Sequence, residues 1–224
     1  MDMNHSEPFQ MVQTGTYHKQ KHLCCQDSTS VYTKGNITLA AVSDGCGSAV
    51  LSHIGSALCV RTFIETFAVF PENMLEAFCT SGKFDRMVQN LTAEAIQKEI
   101  DRTGVPHQLL SATLVGCICY KKRAVFVHAG DGFAARVQFG HIDMVSPPEN
   151  DGSHDHTFFI TSPLVQEHIR ITRIRSFRRL LLSTDGLSRL RLQKEMFLPD
   201  GLANILLQYE PHLSDDCGVV LLTA

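Results

Sequence analysis

No stretch of this chain approaches the roughly 20 consecutive apolar residues that a membrane-spanning helix needs, so no span is expected. Met1 to Phe9 is polar and carries Asp2 and Glu7. It lacks the basic and apolar regions of a secretory leader. The chain is therefore expected in the cytoplasm. There are no internal repeats and no low-complexity linker. The eight cysteines show no CxxC spacing. Structural zinc of the cysteine type is thereby disfavoured, and reduced thiols in a cytosolic protein are expected. Excess positive charge is lacking too, with a formal net charge of −3. The basic run from Arg170 to Arg179 alternates with Ile169, Ile171, Ile174 and Phe177, as a half-exposed strand does. Nucleic-acid and membrane surfaces are not expected.

What remains is an ordinary globular balance, 44% hydrophobic and 19% charged over 224 residues. One domain over residues 1–224 is expected, with an ordered core at about 10–223 and a flexible segment at 1–9. Asn36 to Ser43 reads as a buried strand ending in Asp44-Gly45-Cys46-Gly47-Ser48. A helix follows, with Leu51, Ile54, Leu58, Val60, Ile64 and Phe67 as its apolar face and Pro71 as its stop. Lys83 to Arg102 reads as a second helix, closed by Gly104, with Phe84, Met87, Val88, Leu91 and Ala95 inward. Strands are expected at Ala112–Tyr120, Ala124–Ala129, Phe133–Phe139, Thr157–Thr161, Ile169–Ser176, Arg179–Ser183 and Cys217–Thr223. A short helix is expected at Gly201–Tyr209. This order is not the alternation of a doubly wound parallel sheet. It predicts an α+β domain of stacked antiparallel sheets with helices outside, a four-layer α/β/β/α arrangement.

Aspartates recur at strand ends: Asp27, Asp44, Asp131, Asp185, Asp215 and Asp216. Carboxylates placed there converge on one rim of a sheet. Hard cations prefer such oxygens, and two of them about 3.5–4 Å apart can activate water and neutralise a phosphoryl group. Asp-Gly is also a turn signal. A hairpin would explain Asp131-Gly132 by itself. It does not explain Asp44-Gly45, which joins a buried strand to a helix, nor Asp185-Gly186, which follows the apolar strand Leu180–Thr184.

Gly15-Thr-Tyr-His18, Cys25-Gln26-Asp27 and Ala41-Val-Ser-Asp44-Gly45 resemble the opening of type 2C metal-dependent protein phosphatases, in their compact bacterial branch. Ser111-Ala-Thr113, Gly130-Asp131-Gly132, Leu182-Ser-Thr-Asp185-Gly186 and Ser214-Asp215-Asp216 continue the resemblance in order. The resemblance implies a central antiparallel β-sandwich flanked by helices. It implies hydrolysis of phosphoserine and phosphothreonine in proteins, with a partner serine/threonine kinase in a signalling pair. The implied cofactors are Mn²⁺ or Mg²⁺, two ions and a weaker third. Asp44 would bridge both ions, and the Gly45 carbonyl and Asp27 would serve one of them. Asp185 and Asp215 would serve the other, and Asp131 the third. Two departures stand out. Cys46 takes a position where many members have His. A phosphate-gripping Arg before Asp27 is missing, and His22, His18 and Lys21 are the nearby cations. Three other readings compete: a phosphoprotein-binding pseudophosphatase, a hydrolase of small phosphoesters, and a nucleotide site on Gly45-Cys-Gly47. The last lacks the third glycine of a dinucleotide fingerprint, because Val50 stands there.

Overall fold

The computed structural model describes residues 7–138, 141–149, 157–187 and 213–224. In chain order the elements are β1 (Phe9–Gln13), α1 (Thr16–Lys21), β2 (Ser28–Lys34), β3 (Ile37–Ser43), α2 (Ser52–Ala68), α3 (Glu72–Thr80) and α4 (Asp85–Thr103). They continue with β4 (Leu114–Tyr120), β5 (Arg123–Ala129), β6 (Phe133–Gln138), β7 (His141–Ser146), β8 (Arg170–Ile174), β9 (Arg179–Ser183) and β10 (Cys217–Thr223). Two sheets form, in the orders β1-β10-β9-β6-β7 and β2-β3-β4-β5-β8. Every pairing is antiparallel.

The period-2 alternation of a strand explains the layering. In β3, Ala40 and Val42 face the other sheet, where they meet Val220, Leu180 and Leu182. Leu39 and Ala41 face the helices. Both faces of the central strands are thus buried, so their sequences read as continuous apolar runs and not as alternating ones. Among the described residues, α2, α3 and α4 cover the outer face of the second sheet. The outer face of the first sheet is also buried, through Phe133, Leu181, Val219 and Leu221. The two sheets and one helical layer of the expected arrangement are therefore seen. The helix expected at Gly201–Tyr209 lies outside the described residues.

Several expectations are corrected. Ile54 does not belong to the buried face of α2; it is 44% exposed. The rest of the expected face, Leu58, Val60, Ile64 and Phe67, is buried, and Gly55, Ser56, Cys59 and Phe63 extend it. Small residues set that phase, because Gly55 lies against the backbone of Leu110. Large side chains take over further along, where Phe63 packs on Gly116 of β4. The stripe of α4 is likewise Val88, Thr92, Ile96 and Ile100, while Met87 is exposed and Leu91 half-buried. Pro71 stops α2 but also opens α3, whose Phe78 meets Phe67, Phe70 and Phe84 edge-on. Thr157–Thr161 is not a strand. Asp131-Gly132 does not close a hairpin: β5 pairs with β4 and β8, whereas β6 pairs with β7 and β9 in the other sheet. The turn carries the chain across the sandwich, so hairpin geometry does not account for Asp131.

Burial separates two substitutions on α2. Phe67→Ala opens a cavity in a fully enclosed aromatic cluster and should cost about 3–5 kcal/mol. Ile54→Ala should change stability by less than about 1 kcal/mol. Urea denaturation of both variants measures the contrast, and equal losses would contradict the assigned helix phase.

Candidate active site

Register brings the aspartates together. In the β2/β3 pair Ser28 lies opposite Ser43. The next residues out, Asp27 and Asp44, therefore stand side by side just past the strand ends. In the β6/β9 pair Phe133 lies opposite Ser183, so the same extension points Asp131 and Asp185 toward each other. In the β1/β10 pair Gln13 lies opposite Cys217, which brings Gly15 against Asp215. Antiparallel pairing in both sheets thus delivers carboxylates from distant parts of the chain to one end of the sandwich.

The backbone of Asp44 is held firmly. Its N–H donates to Thr113 Oγ1 at 3.0 Å, and its carbonyl accepts the Thr113 N–H at 2.9 Å. Ser43 Oγ donates to the Thr113 carbonyl at 2.6 Å. Gly45 bridges Ala112, and Cys46 N–H donates to the Ser111 carbonyl at 2.9 Å. This is the structural use of Ser111-Ala-Thr113: it fixes the Asp44-Gly45 backbone against β4.

Asp27 is buried beside Asp44, and each carboxyl perturbs the other. Thr184 Oγ1 donates to Asp27 Oδ2 at 2.6 Å. Thr157 Oγ1 donates to Asp131 Oδ2 at 2.7 Å. In each case a threonine hydroxyl holds one carboxylate oxygen. The other oxygens, Asp27 Oδ1 and Asp131 Oδ1, are buried with no hydrogen-bond partner. Such atoms are costly unless something completes their shell. None of the ion pairs among the described residues involves Asp27, Asp44 or Asp131.

The electrostatics agree. Burial pushes the Asp27 carboxyl up to about 7; the bonds from Thr184 and Asp44 oppose this, and the negative Asp216 and Asp185 add to it. Burial also pushes Asp44 well above the carboxylate range, and Asp27, Asp185 and Asp131 push it further. These like charges need protons or cations. Among the described residues, no three carboxylate, imidazole or thiol side chains converge closely enough to enclose an ion by themselves. Asp27 and Asp44 converge as a pair. Mg²⁺ and Mn²⁺ routinely complete their shells with carbonyls and water, so the donor chemistry fits these ions.

The other sequence candidates sit differently. Asp215 is exposed, and its Oδ1 accepts the Asp216 N–H at 2.9 Å. His18 is buried, with Nδ1 2.7 Å from Asp216 Oδ2. That contact, and not an open phosphate-facing position, is where its Nδ1 is spent. His22 is exposed and closes α1 in the left-handed conformation, φ 55°. Cys46 Sγ lies 3.1 Å from Ser48 Oγ. Burial, with Asp216 and Asp27 nearby, pushes the Cys25 thiol up, and burial with Asp27 and Asp185 does the same to Cys217. Both are neutral thiols and poor ligands. Sequence reasoning missed the roles of Thr113, Thr157, Thr184 and Asp216. Thr113, Thr184 and Asp216 stood within the motifs Ser111-Ala-Thr113, Leu182-Ser-Thr-Asp185 and Ser214-Asp215-Asp216, whereas Thr157 carried no signal.

The sequence profile of the family described as protein phosphatase 2C matches residues 14–216. No curated protein matches the chain in sequence. Several solved structures share its fold. The serine/threonine phosphatase Stp1 of Staphylococcus aureus has a TM-score of 0.72 at 14% identity, over 100% of this chain and 99% of its own. The serine/threonine phosphatase of S. agalactiae has a TM-score of 0.74 at 14% identity, over 97% and 99%. The catalytic domain of the phosphatase PstP, in complex with 2 manganese ions, has a TM-score of 0.68 at 18% identity, over 97% of each chain.

A pH dependence follows for the metal-free protein. Asp27 and Asp44 bind protons more tightly folded than unfolded. The stability they contribute is complete at acid pH and is lost as pH rises, through about 7 for Asp27 and well above the ordinary carboxylate range for Asp44. Removing one acid with Asp44→Asn should raise the metal-free Tm relative to wild type more at pH 8 than at pH 5. His128, held neutral by burial and Arg170 with its pKa pushed down to about 3, titrates oppositely. It is common to both proteins and cancels. An equal offset at both pH values would contradict coupling of the carboxyls.

Proposed function

The chain belongs to the protein phosphatase 2C family, and on that premise we propose that it hydrolyses phosphoserine and phosphothreonine in other proteins at the acidic end of the sandwich. The observation that carries this reading is the Asp27–Asp44 pair: buried, pushed above the usual carboxylate range, and acted on by Asp131 and Asp185. Asp27, Asp44, Asp185 and the Gly45 carbonyl are the groups that would hold two divalent cations, with Asp131 serving a third. Asp215 joins them by turning its carboxylate away from the Asp216 N–H. When bound, Mn²⁺ or Mg²⁺ supplies positive charge to phosphoryl oxygens and a source of nucleophilic water at neutral pH.

The side chains divide the remaining work. Thr184 and Thr157 aim the open oxygens of Asp27 and Asp131 by holding the opposite ones. Asp44 and Asp27, both of which hold a proton more readily than an ordinary carboxyl, would ionise to hold a cation. Thr113 holds the Asp44 backbone in place when charge at the site changes. Lys21, the last residue of α1, and His22, which follows it, are exposed and would attract the phosphate. The whole chain, 1–224, acts as one domain in this reading. It works in the cytoplasm on phosphoproteins produced by a serine/threonine kinase. Among the described residues no single helix is long and apolar enough to cross a membrane.

One observation favours the alternative of a catalytically weak phosphoprotein-binding module: the exposed, turned-away carboxylate of Asp215. Hydrolysis of a chromogenic phosphoester separates the two. Turnover should require Mn²⁺ or Mg²⁺ and vanish in EDTA. Asp44→Asn should lower kcat at saturating Mn²⁺ by more than about 100-fold, because even residues that only support a metal ligand are worth 10–100-fold. Activity unaffected by EDTA, or near-normal turnover in the variant, would contradict the reading. No turnover by the wild type, with phosphopeptide binding retained, would establish the alternative.

A further inference from the structure

The chemistry proposed above leaves unused a buried pair, the imidazole of His18 and the carboxylate it faces. Asp216 is 2% exposed and accepts three N–H groups. Its Oδ1 takes the Gly15 N–H at 2.7 Å. Its Oδ2 takes the Gln26 N–H at 2.5 Å and His18 Nδ1 at 2.7 Å. A carboxylate has no proton to give, so Nδ1 is the protonated nitrogen of His18. The three donors come from residues about 190–201 positions away in sequence.

These partners sit beside the acidic site. Gln26 immediately precedes Asp27, and Asp216 immediately follows Asp215. Gly186, next to Asp185, presses on the other side: a Cβ there would stand 1.9 Å from the Asp216 carbonyl oxygen. A Cβ on Gly15 would stand 2.3 Å from the Asp215 carbonyl carbon. Backbone bonds from Thr16 N–H to the Leu213 carbonyl, 2.8 Å, and from Tyr17 N–H to the Ser214 carbonyl, 3.3 Å, close the junction. The Asp216 side chain thus ties together the segments that carry Asp27 and Asp215, and its backbone carbonyl meets the segment that carries Asp185.

We propose that Asp216, fixed by His18, is the positioning residue that sets the relative placement of Asp27 and Asp215 for cation binding. His18 therefore acts from behind the site and does not grip phosphate. The proposal rests on reading the acidic end as a metal site. An Asn at 216 would offer one acceptor oxygen and turn an N–H₂ toward another donor, so the clamp would lose at least one of its bonds. An Asn at 18 would instead keep an N–H close to where Nδ1 stands, whereas Ala would remove it.

Titration calorimetry of Mn²⁺ into the folded full-length protein tests this, with circular dichroism confirming the fold at the working temperature. Asp216→Asn and His18→Ala should weaken Mn²⁺ binding by about 10–100-fold, the range for residues that orient metal ligands. His18→Asn should bind Mn²⁺ as the wild type does. Folded Asp216→Asn and His18→Ala proteins with wild-type affinity would overturn the proposal and leave Asp216 as a tie between chain ends. Equal weakening by His18→Asn and His18→Ala would assign the effect to packing and also overturn it. Should Asp216→Asn fail to fold, the two His18 variants decide alone. A wild type that binds no Mn²⁺ would overturn the metal reading itself, an outcome distinct from failure of the clamp.

Discussion

Buried like charge is the constraint around which the rest of the structure is arranged. Asp27 and Asp44 sit side by side, out of water, with Asp131 and Asp185 adding to the repulsion. Left alone, such a group resists ionisation and destabilises the fold around it. The scaffold tolerates it because the backbone there cannot yield. Asp44 extends a strand bonded on both sides, and Thr113 ties down its N–H and carbonyl together. The helices pack on the second sheet through a large aromatic cluster remote from this rim. Stability resides in the sandwich, and the cost is concentrated at one end of it.

Rigidity at that rim has a chemical consequence. Threonine hydroxyls occupy one oxygen of Asp27 and one of Asp131, leaving the opposite oxygens buried and without partners. A site made this way discriminates by charge and hardness. It offers oxygen donors and neutral thiols, so it suits small divalent cations better than soft metals. Behind Asp131, Arg170 donates to the Pro147 carbonyl at 2.7 Å, and the Glu149 N–H donates to the Gly130 carbonyl at 3.0 Å. That crossover between the sheets is braced from the edge strand β8.

The parts of the fold legible in sequence were those with their own periodicity. The closing strand Cys217–Thr223 is found where its apolar run placed it. Asp44 and Asp185 follow strands buried on both faces, so the apolar run that marks the strand also marks the carboxylate. The strands that sequence did not reveal, β1, β2 and β7, are sheet edges. Edge strands bury less and carry more polar residues; β2 reads STSVYTK. Ile54 misled because hydropathy weights large side chains, while α2 approaches its neighbours through Ser52, Gly55 and Ser56. Asp131-Gly132 misled because a local turn signal says nothing about which sheet each flanking strand joins. The role of Asp216 depends on contacts with residues about 200 positions away, which no local pattern encodes.

The most direct measurement is diffraction at the manganese absorption edge from crystals soaked in Mn²⁺. The account predicts two anomalous peaks at the acidic end of the sandwich, both within coordination distance of the Asp44 carboxylate, one beside Asp27 and the Gly45 carbonyl and one beside Asp185. Fully soaked crystals with no peak touching Asp44, or with Mn²⁺ bound only elsewhere on the surface, would contradict it.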